Sequence, residues 1–351
     1  MCFEFRVMKK LVQGNEATFL GARKAGADFF AGYPITPSNE IMATAAKHAS
    51  TNEDFTFLQM EDEIASATAI IGASLAGARS FTATSGPGFS LMQESIGLAY
   101  MTSTPTVFVD VQRVGPSTGM PTYPAQGDVL QAKHGSHGDY TSIVLAPNSA
   151  AESFQYTATA FNVAEEAEAP VIVLTDGFVG HLEETVDLDK IEVPNPAPRR
   201  RKPLGTGKRH FTGLLSDEEG IPKTADPAEY RKWYWGKKKQ VEATAAKYEL
   251  FEYIENKNSD TLLISFGITS RVLLPLKEEY GYFRPIRLFP ILGEQLQKVA
   301  ADYKNIVVVE ANDGQFAGEV EHAMSRPVKR LPLLGGELSS SLIAKELKNV
   351  C

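Results

Sequence analysis

The chain has 351 residues, 43% hydrophobic and 22% charged, with a formal net charge of −8. That is room for two domains with cores of their own, in the composition of an ordinary globular protein. The acidic balance argues against a general nucleic-acid or anionic-membrane binder, and no apolar run reaches membrane-spanning length.

The first ten residues lack the features of a signal peptide, so a cytoplasmic protein is expected. Met8-Lys9-Lys10 makes a natural start, and residues 1–7 then read as an upstream extension. The two cysteines, Cys2 and Cys351, sit at the chain's extremes, and no CxxC occurs. This chain alone therefore cannot supply thiolates for an iron–sulfur cluster or a structural zinc. A disulfide between the termini is disfavoured in a reducing compartment.

Residues 14–26 predict a helix with Ala17, Leu20, Gly21 and Ala25 inward, followed by a buried strand at Asp28–Gly32. In Tyr33-Pro-Ile-Thr-Pro-Ser38, Pro37 suits a first helical position, which makes Thr36 the expected N-cap of a helix running to about His48. That cap follows a strand's C-terminal end, where α/β sheets bind ligands, and free amides there favour a carboxylate. A well-capped helix and nothing more is the plainer alternative.

Residues 57–90 read as a strand, a small-residue helix, a second strand, a glycine turn and a helix start. Ile64, Thr68, Ile71 and Leu75 recur at helical spacing and predict the core face. Glu61, Asp62 and Glu63 precede it, and Glu63 lies nearest the stripe. A carboxylate there is costly to bury without a partner, whereas an exposed acidic first turn merely complements the helix dipole; both readings stand. Thr84-Ser-Gly-Pro-Gly88 opens a helix with Phe89, Met92, Ile96 and Ala99 on one side. Its glycines let a ligand or partner approach the backbone, or serve only a tight αβ turn. It is not a phosphate-binding Walker loop, since no Gly-Lys-Ser/Thr follows.

Thr106–Val111 is an apolar strand expected to be buried on both faces, with Arg113 at its end. Close to Thr36, that arginine would grip a substrate carboxylate through two parallel hydrogen bonds; otherwise it is a surface arginine. Residues 114–140 form a long Gly/Pro/Ser-rich segment of the kind that usually contacts substrate or partner. His134, His137 and Asp139 lack the two-histidine helical spacing of zinc enzymes, which disfavours a metal site. Further strands are expected at 141–146 and 170–175, with a capping box at Ser149–Glu152 between them. Strands alternating with helices predict a parallel sheet covered on both faces.

Between 196 and 240, twelve Lys/Arg face five Asp/Glu, and both tryptophans, Trp233 and Trp235, lie there. Against the global charge, a solvated arm over the subunit or against an acidic partner is favoured over a nucleic-acid segment. A second α/β unit follows from about 258, with strands at 261–266, 285–289 and 305–310 and a strand-end turn at 311–315. No GxGxxG precedes a helix there, so a dinucleotide site is unsupported.

Taken in order, Tyr33–Ser38, Glu61-Asp-Glu-Ile-Ala65, Thr84–Gly88, Thr118-Gly-Met-Pro-Thr122, Gln126-Gly-Asp128, His137-Gly-Asp-Tyr140, Phe211–Gly220 and Glu310-Ala-Asn-Asp-Gly-Gln315 resemble the α subunits of 2-oxoacid:ferredoxin oxidoreductases. The branch is that of 2-oxoglutarate synthase and 2-oxoisovalerate oxidoreductase, and the resemblance covers nearly the whole chain. It implies an α/β fold with a thiamine-pyrimidine-type parallel-sheet domain at 8–190, a basic arm at 191–257 and a transketolase-C-terminal-like domain at 258–351. It also implies an enzyme that uses thiamine diphosphate and coenzyme A to decarboxylate a 2-oxoacid oxidatively and passes the electrons to ferredoxin. Glu63 matches the glutamate that exchanges a proton with the cofactor's aminopyrimidine ring, with Ser85 and Gly86 beside the cofactor. Thr36 and Arg113, with Tyr33 and Ile35 of the same motif, match the substrate-binding residues.

The diphosphate–Mg²⁺ motif of thiamine enzymes, Gly-Asp-Gly followed by Asn, is missing from this sequence, as are cluster cysteines. The resemblance places both on a β subunit, in some complexes with a small ferredoxin-like or γ subunit, so the lone chain should be inactive. A second substrate carboxylate, as in 2-oxoglutarate, would need a further cation or donor; Lys133, His134 and His137 are the candidates, and 2-oxoglutarate is favoured over branched 2-oxoacids. Another two-chain thiamine decarboxylase or dehydrogenase, or a non-catalytic assembly subunit, are the alternatives.

Overall fold

The structure, a computed structural model, describes residues 9–199, 202–206, 211–217, 219 and 221–350. Cys2, Cys351 and residues 1–7 lie outside the described residues, as do two positions of the 211–220 motif. In chain order come β1 (Lys10–Gln13), α1 (Gly14–Lys24), β2 (Phe29–Gly32), α2 (Asn39–Ala49), β3 (Thr56–Gln59), α3 (Glu63–Leu75), β4 (Ser80–Thr84), α4 (Gly86–Leu91) and α5 (Gln93–Met101). Then follow β5 (Thr106–Val114), β6 (Met120–Pro124), α6 (Val129–His134), β7 (Ile143–Leu145), α7 (Ala150–Ala167), β8 (Pro170–Asp176), α8 (Gly177–His181), β9 (Glu183–Val186) and α9 (Pro227–Ala246). The last part holds β10 (Phe251–Ile254), β11 (Thr261–Ile264), α10 (Gly267–Leu273), β12 (Gly281–Pro285), β13 (Arg287–Phe289), α11 (Gly293–Ala300), β14 (Asn305–Glu310), α12 (Gln315–Met324) and β15 (Lys329–Pro332).

The larger sheet has the order β13-β7-β8-β5-β4-β2-β3, parallel except for β13, with β6 folded back antiparallel on β5. β4, β7 and β8 are buried along their whole length and β5 along all but its last residue, as continuous apolar strands in a covered parallel sheet must be. The smaller sheet has the order β10-β12-β11-β14-β15, with β10 antiparallel at one edge. α1 and α7 pack closely on the larger sheet: a Cβ on Gly21 would lie 2.2 Å from the Phe154 carbonyl oxygen, so only glycine permits that approach.

Four expectations are corrected. The 285–289 strand is two: β12 joins the smaller sheet, whereas β13 crosses to pair with β7 of the larger one. One apolar cluster accordingly runs from Phe108, Val144 and Ile172 through Phe289 to Phe266, Val308 and Phe316, giving both sheets a common core. On α3, Ile71 and Leu75 are buried but Ile64 and Thr68 are exposed. The inward face is instead Glu63, Ser66, Ala67, Ile70 and Ser74, because small residues let α3 lie tight on β2 and β4. Thr36 does not cap α2: residues 35–38 close a turn through the Ser38 N–H and Ile35 carbonyl, 2.9 Å, after a cis Thr36–Pro37 bond, and Ser38 takes the N-cap position. The basic arm is not merely solvated loop, since α9 is a 20-residue helix. Asp226 caps it by accepting from the Ala228 and Glu229 amides, and Pro227 is its first residue. Buried Lys237 donates to the Ala167 and Glu168 carbonyls, a cation at the C-terminus of α7, and Trp233 meets Tyr100 edge-on.

Candidate functional site

β2, β4 and β5 run parallel, so their C-terminal ends deliver the Tyr33–Ser38 segment, the Thr84–Gly88 turn and Arg113 to one edge of the sheet. Arg113 is no surface residue: it is 7% exposed, within β5, and its Nη1 donates to the Thr36 carbonyl at 2.8 Å. Its Nε is buried without an acceptor. Burial lowers its pKa, against the pull of Asp128, Asp110 and Glu63, all close enough to act on its charge.

Glu63 occupies the first turn of α3, yet the capping role there belongs to Asp62, whose carboxylate accepts from the Ala65 amide at 2.7 Å. Glu63 is turned inward and buried, and no hydrogen bond or ion pair engages its carboxylate among the described residues. Gly88 lies directly against it. A Cβ at Gly88 would sit 2.5 Å from Glu63 Oε1 and 2.2 Å from Thr84 Oγ1. The hydroxyls of Thr84 and Ser85 are also buried without partners. Each such group costs on the order of 1–3 kcal/mol in a finished core, so their concentration here marks a surface built for something else to touch.

A cavity of about 690 Å³ opens beside them, lined among others by Gly86, Arg113, Asp128, Gln131, Asn312 and Asp313. It thus lies between the larger sheet and the 311–315 turn that follows β14. Of the expected residues, Thr36, Glu63, Ser85, Gly86 and Arg113 come together. Of these, Gly86 and Arg113 line the cavity itself, while Thr36 meets Arg113 and Glu63 meets Gly88 beside it; Tyr33 is 37% exposed and Ile35 half-buried, and neither has such a contact to the cavity wall. His134 stacks on Tyr140 at 4.6 Å, and Lys133 pairs with Glu319 at 2.6 Å. His137 faces Glu94 at 3.4 Å in a separate, smaller hollow beside Tyr100 and Trp233. The structure therefore does not bring Lys133, His134 or His137 to Arg113. Among the described residues, no group of three or more His, Cys, Asp or Glu is placed to hold a metal ion.

Two groups escaped the sequence reading. Asp110 is fully enclosed on β5 and faces the carboxyl of Asp128; burial and that like charge push its pKa well up, and burial raises Asp128 to about 6. A carboxylate within the apolar run Val109-Asp110-Val111 was the available signal, because no charge is buried there without cause. Gln126, also fully buried, joins the two sheets. Its amide donates to the Phe266 carbonyl at 3.0 Å, and its side-chain oxygen accepts from Thr269 Oγ1 at 2.6 Å and the Ala311 amide at 3.0 Å.

Residues 20–256 match the family profile described as pyruvate flavodoxin/ferredoxin oxidoreductase, thiamine-diphosphate-binding. The sequence is 42% identical to the 2-oxoglutarate synthase subunit KorA of Methanocaldococcus jannaschii, over 94% of this chain and 96% of that one. It is 33% identical to the ketoisovalerate oxidoreductase subunit VorB of Methanothermobacter thermautotrophicus, over 94% of each chain. Among solved structures, it is similar to 2-oxoglutarate:ferredoxin oxidoreductase from Magnetococcus marinus with 2-oxoglutarate, coenzyme A and succinyl-CoA bound, with a TM-score of 0.88 and 31% identity. That likeness covers 97% of this chain and spans 65% of the solved one. A split-gene transketolase, at a TM-score of 0.57 and 15% identity, shares the fold.

Proposed function

The chain belongs to the pyruvate flavodoxin/ferredoxin oxidoreductase family, a subunit of a 2-oxoacid:ferredoxin oxidoreductase, and from that premise we propose that its substrate is 2-oxoglutarate. The reaction would consume 2-oxoglutarate and coenzyme A, release CO₂ and succinyl-CoA, and send two electrons to ferredoxin. The higher identity to 2-oxoglutarate synthase subunits, 42% against 33% for the ketoisovalerate subunit, supports that substrate, and the buried Glu63 carboxylate pressed on Gly88, within electrostatic reach of Arg113, supports the thiamine chemistry.

These residues fit thiamine diphosphate: an unpaired carboxylate beside a glycine turn and two unpaired hydroxyls is a donor-and-acceptor set a polar ring can satisfy. When bound, that cofactor supplies the carbon nucleophile and electron sink that decarboxylation of a 2-oxoacid requires. Glu63 holds or takes up a proton on its carboxylate oxygen at the ring. Arg113, braced by the Thr36 carbonyl, offers its Nε side to the substrate's 1-carboxylate and fixes the ketone's direction. Ser85 and Gly86 form the adjoining wall.

The cofactor's diphosphate with Mg²⁺, and the iron–sulfur cluster, belong in this proposal to a β subunit, with ferredoxin-like or γ subunits where the complex has them. Leu58, Ile64 and Leu91 are 42–50% exposed on β3, α3 and α4 around Glu63, an apolar rim for that subunit to cover. The test is the co-purified complex, assayed with 2-oxoglutarate, pyruvate and 2-oxoisovalerate, coenzyme A and a viologen dye. Dye reduction should be fastest with 2-oxoglutarate and require thiamine diphosphate. Preference for 2-oxoisovalerate would move the substrate to the branched class, and thiamine-independent turnover would remove the mechanism.

A further inference from the structure

Asp128 is clasped from β5 at two points. The Gln112 side-chain oxygen accepts from the Asp128 amide at 3.0 Å, and the Asp110 carboxyl, two residues earlier on the same strand, faces the Asp128 carboxyl. Asp110 is fully enclosed, and neither of its oxygens, nor Asp128 Oδ2, makes a hydrogen bond of ordinary geometry with another residue. Asp128 forms part of the cavity wall together with Arg113. The groups facing the pair are Arg113 from β5 and the Gly86 amide at the start of α4; Glu63 from α3 acts on Arg113, and Asp313 lines the same cavity as Asp128. Among the described residues, no lysine or histidine lines that cavity.

We propose that Asp110 and Asp128 are a proton-sharing pair that positions Arg113, so that binding of the 2-oxoacid carboxylate draws a second proton into the pair. The proposal rests on Arg113 holding the substrate carboxylate. With Asp110 fully enclosed and Asp128 half-buried against it, ionising both would set two like charges face to face out of reach of bulk water, and one of the pair stays protonated. Asp110 keeps its proton, and Asp128 is the member that ionises first, at about 6. With one proton shared, the pair carries a single negative charge, which balances the Arg113 guanidinium. An incoming carboxylate upsets that balance. The free energy of the bound state is then lowered by protonating Asp128, with the proton taken from solvent onto its carboxylate oxygen. Acid conditions therefore prepare the site for an anion. Above about pH 6, where Asp128 is ionised before substrate arrives, binding must carry the cost of that protonation.

The test uses the intact complex, with 2-oxoglutarate varied and coenzyme A and dye saturating, from pH 5.5 to 8.5. For the native protein, kcat/KM should fall as pH rises beyond about 6, by up to tenfold per unit, the limit for one proton, and the change should lie in KM rather than kcat. Asp128→Asn, isosteric and always neutral, should flatten that fall and bring KM at pH 7.5 to or below the native value. Asp110→Asn, neutral like the protonated acid it replaces and still a hydrogen-bond donor to the Asp128 carboxylate, should keep the fall with its midpoint near the native one, whereas Asp110→Leu, which cannot donate, should move the midpoint to higher pH. A D128N enzyme that keeps the native slope, with KM or kcat displaced equally at every pH, would show a purely structural role and overturn the proposal. So would a D110L midpoint identical to the native one. Arg113→Lys separates the two levels. If it leaves KM unchanged, the carboxylate role of Arg113 fails; if it raises KM while D128N keeps the slope, only the proton linkage fails.

Discussion

Gln126 and Arg113 are both buried, polar and close to the same cavity, yet their surroundings are opposites. Around Gln126 every group has a partner: its main-chain N–H donates to the Ala311 carbonyl and its own carbonyl accepts from Asn312, in addition to its side-chain bonds. Around Arg113 the polar groups are left wanting, with its Nε and the Thr84 and Ser85 hydroxyls unpaired. The first arrangement is what holds two sheets together. The second costs stability and makes sense only as a place where a ligand completes the bonding.

Substitutions should separate the two regions. Glu63→Gln, on the ligand side, should cut dye reduction by the complex by about 100-fold or more while the subunits still co-elute; undiminished turnover would take Glu63 out of the mechanism. Gln126→Ala, on the joint side, should lower unfolding free energy by about 2–4 kcal/mol in a denaturant titration, since it strands the Ala311 amide and the Thr269 hydroxyl. A loss below that range would mean water replaces those bonds. Arg113→Lys should raise KM for the 2-oxoacid about tenfold with little change in kcat, because a lysine cannot present the planar fork. Ser85→Ala should change stability by less than about 1 kcal/mol, its hydroxyl having no bond to lose; a large loss would reveal a partner and weaken the contrast.

The ligand side of this contrast was legible in the sequence; the joint at Gln126 was not. The apolar strands at 106–111 and 170–175 and the glycine turn at 84–88 fixed the larger sheet's frame, and the proximity of Thr36 to Arg113 followed from two strands sharing that sheet. What failed depended on long-range geometry. β13 is three residues long, and whether it joins one sheet or the other is decided by the shared core around Phe289 rather than by any local pattern. α9 was hidden because its faces carry charge, although Asp226-Pro227 is a good helix start. Thr36 was misplaced as a cap because a turn ending in Ser38 competes with an earlier helix start. His134, at the end of α6, and His137, in the loop after it, could not be assigned a neighbour from composition, and they lie against Tyr140 and Glu94.

The most direct measurement is a calorimetric titration of thiamine diphosphate with Mg²⁺ into this chain alone, into the chain with its β subunit, and into the same complex carrying E63Q. The predicted result is no binding to the lone chain, saturable binding to the complex, and weakened binding to the E63Q complex at unchanged assembly. Full-strength binding to the lone chain, or binding indifferent to Glu63, would contradict the account.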